Sequence, residues 1–530
     1  MRGDRLPHAG FSREGDECCG GVWLDNSVKR SQLEFLTPVK STRPGEYSML
    51  HKQRITWLSR LGLAYRPLRQ FAGFVGISYA LGSSAAMADS KPQAFQKGET
   101  VCMVGDSITH GGMYHSNLYL FYATRFPTRE VRLVNCGISG DTAAGAASRL
   151  DWDVLVHRPT VATVLLGMND VGLRLYGTDK TDEKSRAAQR AAIERYVSNM
   201  TALVERLLKA GTKVTLLTPT IYEQNVDTGV PNYFGSNDGL SECSEEVKKI
   251  ARKYDLPLID VHEAMNSINR KAQQTDTTFT LVGRDRVHPG NVGHFVIAYE
   301  VLKAQGMSSG VSKMVLDAAS AKATAQVNCT ISRVQGSPEE LSFDCLESAL
   351  PFPVAAGARG ALTLIPFERE LNEELLRITG LTEGKYTLSI DDKPVGQFDA
   401  TELAAGVNLA SNPKTPQYQQ ALEVDALNTK RHMLETVRLR GIAATQMWLA
   451  NSKIDLNDPQ AISEAVSKAA GGKPDATEKA PWRGDVRNVF DAYRKYKPVQ
   501  KELMEEAEQA RAGMYKAAQP KPHRFVIKKS

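Results

Sequence analysis

Five short apolar runs constrain this chain most: TVCMVG at 100–105, VRLVNCG at 131–137, VATVLLG at 161–167, KVTLLTP at 213–219 and LPLIDV at 256–261. Their residues are apolar continuously rather than in alternation, so each strand has to be buried on both faces. The segments between them have a helical period. In AAQRAAIERYVSNMTALVERLLKAG (187–211), apolar residues recur at steps of three and four. A parallel sheet covered by helices on both sides satisfies both patterns. The expected fold is therefore α/β, a flavodoxin-like doubly wound parallel sheet of five strands with right-handed crossovers over residues 95–308. In such sheets chemistry collects just beyond the carboxyl ends of the strands.

At 530 residues the chain is too long for that domain alone. After Gly306-Met307-Ser308-Ser309-Gly310 the texture changes. Residues 313–410 hold short β-prone runs (AQVNCTISRV, LSFDCLE, GALTLIPF) and GKYTLSIDDKPVGQF, which reads as a hairpin turning at Asp391-Asp392. A small β-rich, sandwich-like module is expected there. Helices follow over 416–516, interrupted by a Gly/Lys/Pro/Asp-rich linker at 471–481.

The N-terminal part reads as targeting rather than fold. Residues 1–48 have no apolar period and are expected to be disordered or to precede the true start. Met49 opens a basic, acid-free stretch, HKQRITWLSRLGLAYRPLRQ, and the apolar run FAGFVGISYALGSSAAMA then ends in Ala86-Met87-Ala88 before Asp89. These are the parts of a secretory signal peptide, placed at 49–88. The run is short and rich in small residues for a spanning helix, so no stable membrane insertion is expected after cleavage. The product is expected to be exported, periplasmic or extracellular. The net charge of +6 is mild, and no Lys/Arg block with interleaved aromatics suggests a nucleic-acid groove. Of seven cysteines, Cys18 and Cys19 precede Met49. Cys102 and Cys136 read as buried thiols, whereas Cys329 and Cys345 are candidates for pairing in an oxidising compartment. No Cys/His spacing resembles a metal site, and no cofactor is expected.

Four segments carry reactive residue types. The first strand ends in Gly105-Asp106-Ser107-Ile108-Thr109, a hydroxyl on a tight turn where an activated nucleophile would stand. The second ends in Asn135-Cys136-Gly137-Ile138-Ser139-Gly140-Asp141-Thr142, and the third in Leu166-Gly167-Met168-Asn169-Asp170. Glycine permits close backbone approach to an oxyanion, and an Asn amide supplies an adjustable donor. The fourth is Asp285-Arg286-Val287-His288-Pro289, whose three-residue spacing lets a carboxylate orient an imidazole. Taken singly, each is more simply a cap, a turn or a surface histidine. Together, in this order and at the ends of strands of one sheet, they resemble the block pattern of the SGNH (GDSL-like) hydrolases.

That resemblance covers roughly 105–290 and implies a serine carboxylic ester hydrolase. By it, Ser107 is the nucleophile, His288 the base and Asp285 its orienter. The oxyanion donors are the Ser107 and Gly140 N–H groups and the Asn169 amide. Asp106 and Asp170 are expected to brace loops. His110 and His115 either line the pocket or are solvated loop residues, and His294 is most simply structural. Tyr222, Tyr233 and Phe234 lie in a long stretch after the fourth strand that either shapes a pocket or is plain surface.

The family serves many esters. Export, a polar loop after the fourth strand, and a resemblance to exported bacterial SGNH proteins with an extra β-rich module favour O-deacetylation of carbohydrates. A lipolytic esterase or lysophospholipase is the alternative hydrolase. A glycan-binding or scaffolding protein with a vestigial hydrolase domain is the alternative of another class. An α/β-hydrolase is disfavoured because no G-x-S-x-G surrounds Ser107. The expected partner is a small-molecule or glycan ester, and the oligomeric state is not set by the sequence. Mass spectrometry of exported protein should find its N-terminus near Asp89; a retained Met49 terminus would instead indicate an anchor.

Overall fold

A computed structural model describes residues 90–471, 490 and 493–530. The leader readings at 1–48 and 49–88, Cys18, Cys19 and nearly all of the 471–481 linker lie outside the described residues. The first sheet is formed by β1 (Thr100–Gly105), β2 (Arg132–Gly137), β3 (Val161–Leu165), β4 (Lys213–Leu217) and β5 (Leu258–Ile259). Its order is β2-β1-β3-β4-β5 and every pairing is parallel, as the continuous apolar runs required. All five positions of β3 are buried. Around the sheet stand α1 (Ser107–Gly111), α2 (Met113–Arg125), α3 (Ala143–Ser148), α4 (Glu183–Lys209), α5 (Ser236–Tyr254), α6 (Val261–Gln273) and α7 (Asn291–Ala304). Local sequence starts these helices: the Asp182 side chain accepts from Ser185 N at 3.0 Å, and Asp260 accepts from Glu263 N at 3.2 Å. Each such cap satisfies one of the open N–H groups of a first turn.

Register places the site. Gly105 sits opposite Gly137 on β2 and Leu165 on β3, so the three strands end level and their loops emerge side by side.

The β-rich part has its own core. It comprises β6 (Gly310–Asp317), β7 (Lys322–Val327), β8 (Cys329–Ser337), β9 (Glu340–Glu347), β10 (Glu373–Thr379), β11 (Lys385–Ile390), β12 (Lys393–Asp399), β13 (Val407–Asn408) and β14 (Pro522–Lys529), with short helices α8 (Phe367–Leu371) and α9 (Ala400–Ala405). Two sheets, β13-β10-β6-β7 and β12-β11-β14-β9-β8, share one apolar cluster that includes Leu316, Phe343, Ile378, Leu388 and Phe525. The β11–β12 hairpin turns at Asp391 and Asp392, both at positive φ (49° and 63°), which asparagine and aspartate tolerate better than most residues.

Two expectations are corrected here. The module is not closed within 313–410. Its first strand starts at Gly310, and the last residues of the chain return as β14 between β11 and β9. Burial alternates along that basic tail, with His523, Phe525 and Ile527 facing inward and Arg524, Val526 and Lys528 outward, and Phe525 stacks on Phe343 at 4.9 Å. Nor are Cys329 and Cys345 joined. They are free thiols in neighbouring strands, Cys329 Sγ donating to the Lys313 carbonyl at 3.3 Å, and Cys102, Cys136 and Cys243 are also free.

The C-terminal helices pack on the domain of the five-stranded parallel sheet. Thr415 caps α10 (Pro416–His432), which runs through a π-helical segment, Met433–Leu439, into α11 (Arg440–Asn451). Ala421 and Val424 of α10, with Met514 and Tyr515 of the last helix (Gln500–Ala517), belong to the same apolar core as β1–β5. Among the described residues no helix is long and apolar enough to cross a membrane. Phe525→Ala should cost about 3–5 kcal/mol in denaturant unfolding, whereas Lys528→Ala on the exposed face should stay within about 0.5 kcal/mol. Equal effects would show that β14 is not a core strand.

Candidate active site

Ser107 opens α1, and its neighbour Asp106 caps that helix by accepting from Ile108 N at 2.9 Å. His288 arrives from the turn before α7. Its Nε2 lies 2.7 Å from Ser107 Oγ and its Nδ1 lies 2.5 Å from Asp285 Oδ2. The other Asp285 oxygen accepts from Val287 N at 3.1 Å and His288 N at 3.0 Å, so this carboxylate shapes the turn as well as orienting the ring. With the Nδ1 proton held by the carboxylate, Nε2 is left to accept from the Ser107 hydroxyl. Burial works to raise the Asp285 pKa, but the hydrogen bond and charge of His288 and the two N–H groups hold it below its usual range. The His288 and Asp285 side chains are 38% and 32% exposed, so a substrate can reach them.

The glycine and asparagine segments lie on the adjacent loops. Gly140 has φ +79° and open space where a Cβ would stand. Asn169 Nδ2 donates to the Asp141 carbonyl at 2.8 Å, and Asp170 accepts from Ala143 N at 2.9 Å. The third strand's loop is thereby stitched to the second's, and both Asp106 and Asp170 brace loops as expected. Gly137 is required by contact, since a Cβ there would stand 2.2 Å from His110 N.

Several sequence expectations change. Neither His110 nor His115 is a solvated loop residue. His115 is fully buried, with Nε2 3.1 Å from the Leu133 carbonyl, and His110 Nδ1 accepts from Ser139 N at 3.1 Å. His294 is structural, stacked on Tyr114 with ring centroids 6.1 Å apart. Tyr222 is buried and accepts from Tyr233 N at 2.8 Å, leaving Phe234 as the exposed aromatic of that loop. What holds the loop is Arg286, between Asp285 and His288 and itself at φ +68°. Its guanidinium donates to the carbonyls of Glu223 (3.0 Å), Val226 (2.7 Å) and Val230 (3.2 Å). Only its place inside the Asp-x-x-His turn could have drawn attention to it. Among the described residues no group of three or more His, Cys, Asp or Glu side chains is placed to hold a metal ion.

The model of the GDSL-like lipase/acylhydrolase family matches residues 103–295. A solved gut microbial diltiazem-metabolizing enzyme, BT4096, is 32% identical, with a TM-score of 0.75, across 84% of this chain and 100% of its own. The chain belongs to the GDSL-like lipase/acylhydrolase family. A curated acetylxylan esterase from Geobacillus stearothermophilus is 25% identical over 224 residues, 39% of this chain and 94% of that esterase. The likeness to BT4096 is too long to be confined to the acylhydrolase window, so it reaches into the sandwich and helices.

Two acids near Ser107 are uncomfortable as anions. Burial raises the Asp106 pKa to about 6 against the opposing Ile108 N–H and His288, and it raises Asp170 to about 7 against the Ala143 N–H. An acid whose folded pKa lies above its unfolded value loses stability as pH rises between the two. Asp170→Asn keeps the acceptor for Ala143 N and removes the charge. Its gain in Tm should be absent near pH 3, grow as pH rises from about 4, and level off above about 7. A gain independent of pH would show that Asp170 does not titrate in this window.

Proposed function

We propose that this protein is a serine ester hydrolase that works through an acyl-enzyme and removes O-acetyl groups from carbohydrates. The observation that carries the chemistry is the Ser107–His288–Asp285 relay, with contacts of 2.7 and 2.5 Å. In this reading Ser107 attacks the ester carbonyl while His288 takes its proton, then passes it to the leaving alcohol. Asp285 holds the ring in one tautomer and stabilises the imidazolium that forms. The developing oxyanion is met by the Ser107 N–H, the Gly140 N–H and the Asn169 amide. Water then attacks the acyl-enzyme with His288 again as base, regenerating Ser107 and releasing the acid.

The acetyl group and the sugar are read from the relatives and from one loop. One relative is named an acetylxylan esterase. The other is named for metabolizing diltiazem. A loop with Gln224, Asn225, Asp227 and Asn232 suits a hydroxylated alcohol better than an acyl chain. The export proposed from residues 49–88 would place the enzyme among extracellular glycans.

The test is hydrolysis of p-nitrophenyl acetate, butyrate and octanoate by the chain from Asp89, followed by acetate release from acetylated xylan. Ser107→Ala should abolish turnover without unfolding, and Asn169→Ala should lower kcat by about two to three orders of magnitude. Turnover retained in Ser107→Ala would remove the nucleophile, and rates rising with chain length would replace the sugar reading with a lipolytic one. Silence on every ester would leave a binding protein.

A further inference from the structure

The loop that carries Gly140 is held from a part of the chain far outside the four catalytic segments. Its first residue, Gly137, offers its carbonyl to Arg440 Nε at 3.0 Å, across 303 positions of sequence. Arg440 is 6% exposed and also forks onto Asp153, with Nη1 to Oδ1 at 2.7 Å and Nη2 to Oδ2 at 3.0 Å. Asp153 is bonded in turn to Arg149, whose Nε reaches Asp141 Oδ2 at 2.8 Å. Asp141 closes the same loop and receives the Asn169 amide on its carbonyl. Two guanidiniums and two carboxylates therefore alternate behind the loop, and all four are buried.

A second link runs through the π-helical segment just before Arg440. His110, at the end of the nucleophile helix, accepts from Ser139 N on Nδ1 at 3.1 Å, and the Thr436 backbone lies beside its ring. Burial, reinforced by the Arg440 charge, pushes the His110 pKa down to about 3, so the ring stays neutral and this one tautomer persists. The contact is close. A Cβ on Gly112 would stand 2.8 Å from Thr436 Oγ1 and 3.0 Å from the His432 ring. A π turn shifts the register of a helix, and here it brings Thr436 and Arg440 onto the same loop.

We propose that Arg440, with His110, is a positioning residue: the α10–α11 arm holds the Gly137–Asp141 loop so that the Gly140 N–H and the Asn169 amide are aimed at the oxyanion. This rests on the serine-hydrolase reading above. Donors fixed before reaction act on the transition state and little on the bound substrate, so losing their support lowers kcat more than it raises KM.

The experiment uses the full chain from Asp89 with p-nitrophenyl acetate. Arg440→Lys keeps a positive charge for Asp153 and loses the fork and the Gly137 contact, and His110→Ala cuts the second link. In either, kcat should fall about tenfold to a hundredfold with KM within about twofold, because a loop displaced by about an ångström misaims its donors. In an Asn169→Ala background the same substitution should cost much less than it does alone, since both act through one oxyanion site. Wild-type kcat in whichever variant keeps its circular dichroism and Tm overturns the proposal. So does a loss that multiplies fully with Asn169→Ala. If instead Ser107→Ala retains turnover, it is the serine-hydrolase reading that has failed, not the support of the loop.

Discussion

Burial of the parallel sheet on both faces is the constraint from which the site follows. β1 and β3 run between helices on either side, with β3 covered at every position, so their interiors have no room for charge. Reactive and polar groups are displaced to the strand ends, and because Gly105, Gly137 and Leu165 are in register, those ends are level. A slip of one residue would move a loop by about 3.3 Å, more than the 2.7 Å contact between Ser107 and His288 can absorb. Strand pairing thus sets catalytic distances before any side chain of the site is considered.

Beside the sheet, the charge of buried Asp153 is matched by two guanidiniums. Isolated, Asp153 would be costly there, and burial does push its pKa upward, but Arg440 and Arg149 outweigh that and bring it down to about 2. Such a network breaks expensively when one member is removed, since the survivor is left charged and dry. Arg286 is stabilised differently, by backbone carbonyls and no carboxylate. The one arrangement fixes the loop that carries Gly140, and the other fixes the loop from Glu223 to Val230.

The parts of this molecule legible from residue order are those whose partners lie close in sequence or recur with a period. Five apolar runs gave the sheet, and Asp285 and His288 are three residues apart on one turn. Ser107 and His288 are 181 positions apart, and only the resemblance of four whole segments joined them. Where no period or motif existed, reading failed. Arg440 is one arginine in a long helix, and nothing local distinguishes it from a solvated one. The tail from Pro522 has a short apolar run, Phe525–Ile527, yet it is brief, basic and terminal, and its partners β9 and β11 lie more than a hundred residues earlier. His110 and His115 looked like loop residues because α1 and α2 are separated by a single glycine in the left-handed region, a break that sequence shows and helix packing hides.

The return of the chain end then acquires a mechanical meaning. β14 is a central strand of the sandwich, and the helix before it contributes Met514 and Tyr515 to the hydrolase core. The Tyr515 hydroxyl accepts from Val131 N at 3.1 Å, at the foot of β2, and Arg440 grips the same strand's far end through Gly137. β2 is an edge strand of its sheet, paired with β1 alone, and an edge strand is the one most free to shift. Clamping it at both ends from the C-terminal region holds level the one strand whose loop presents Gly140. The C-terminal helices and the strand that follows them are thereby coupled through β2 to the loop that carries Gly140.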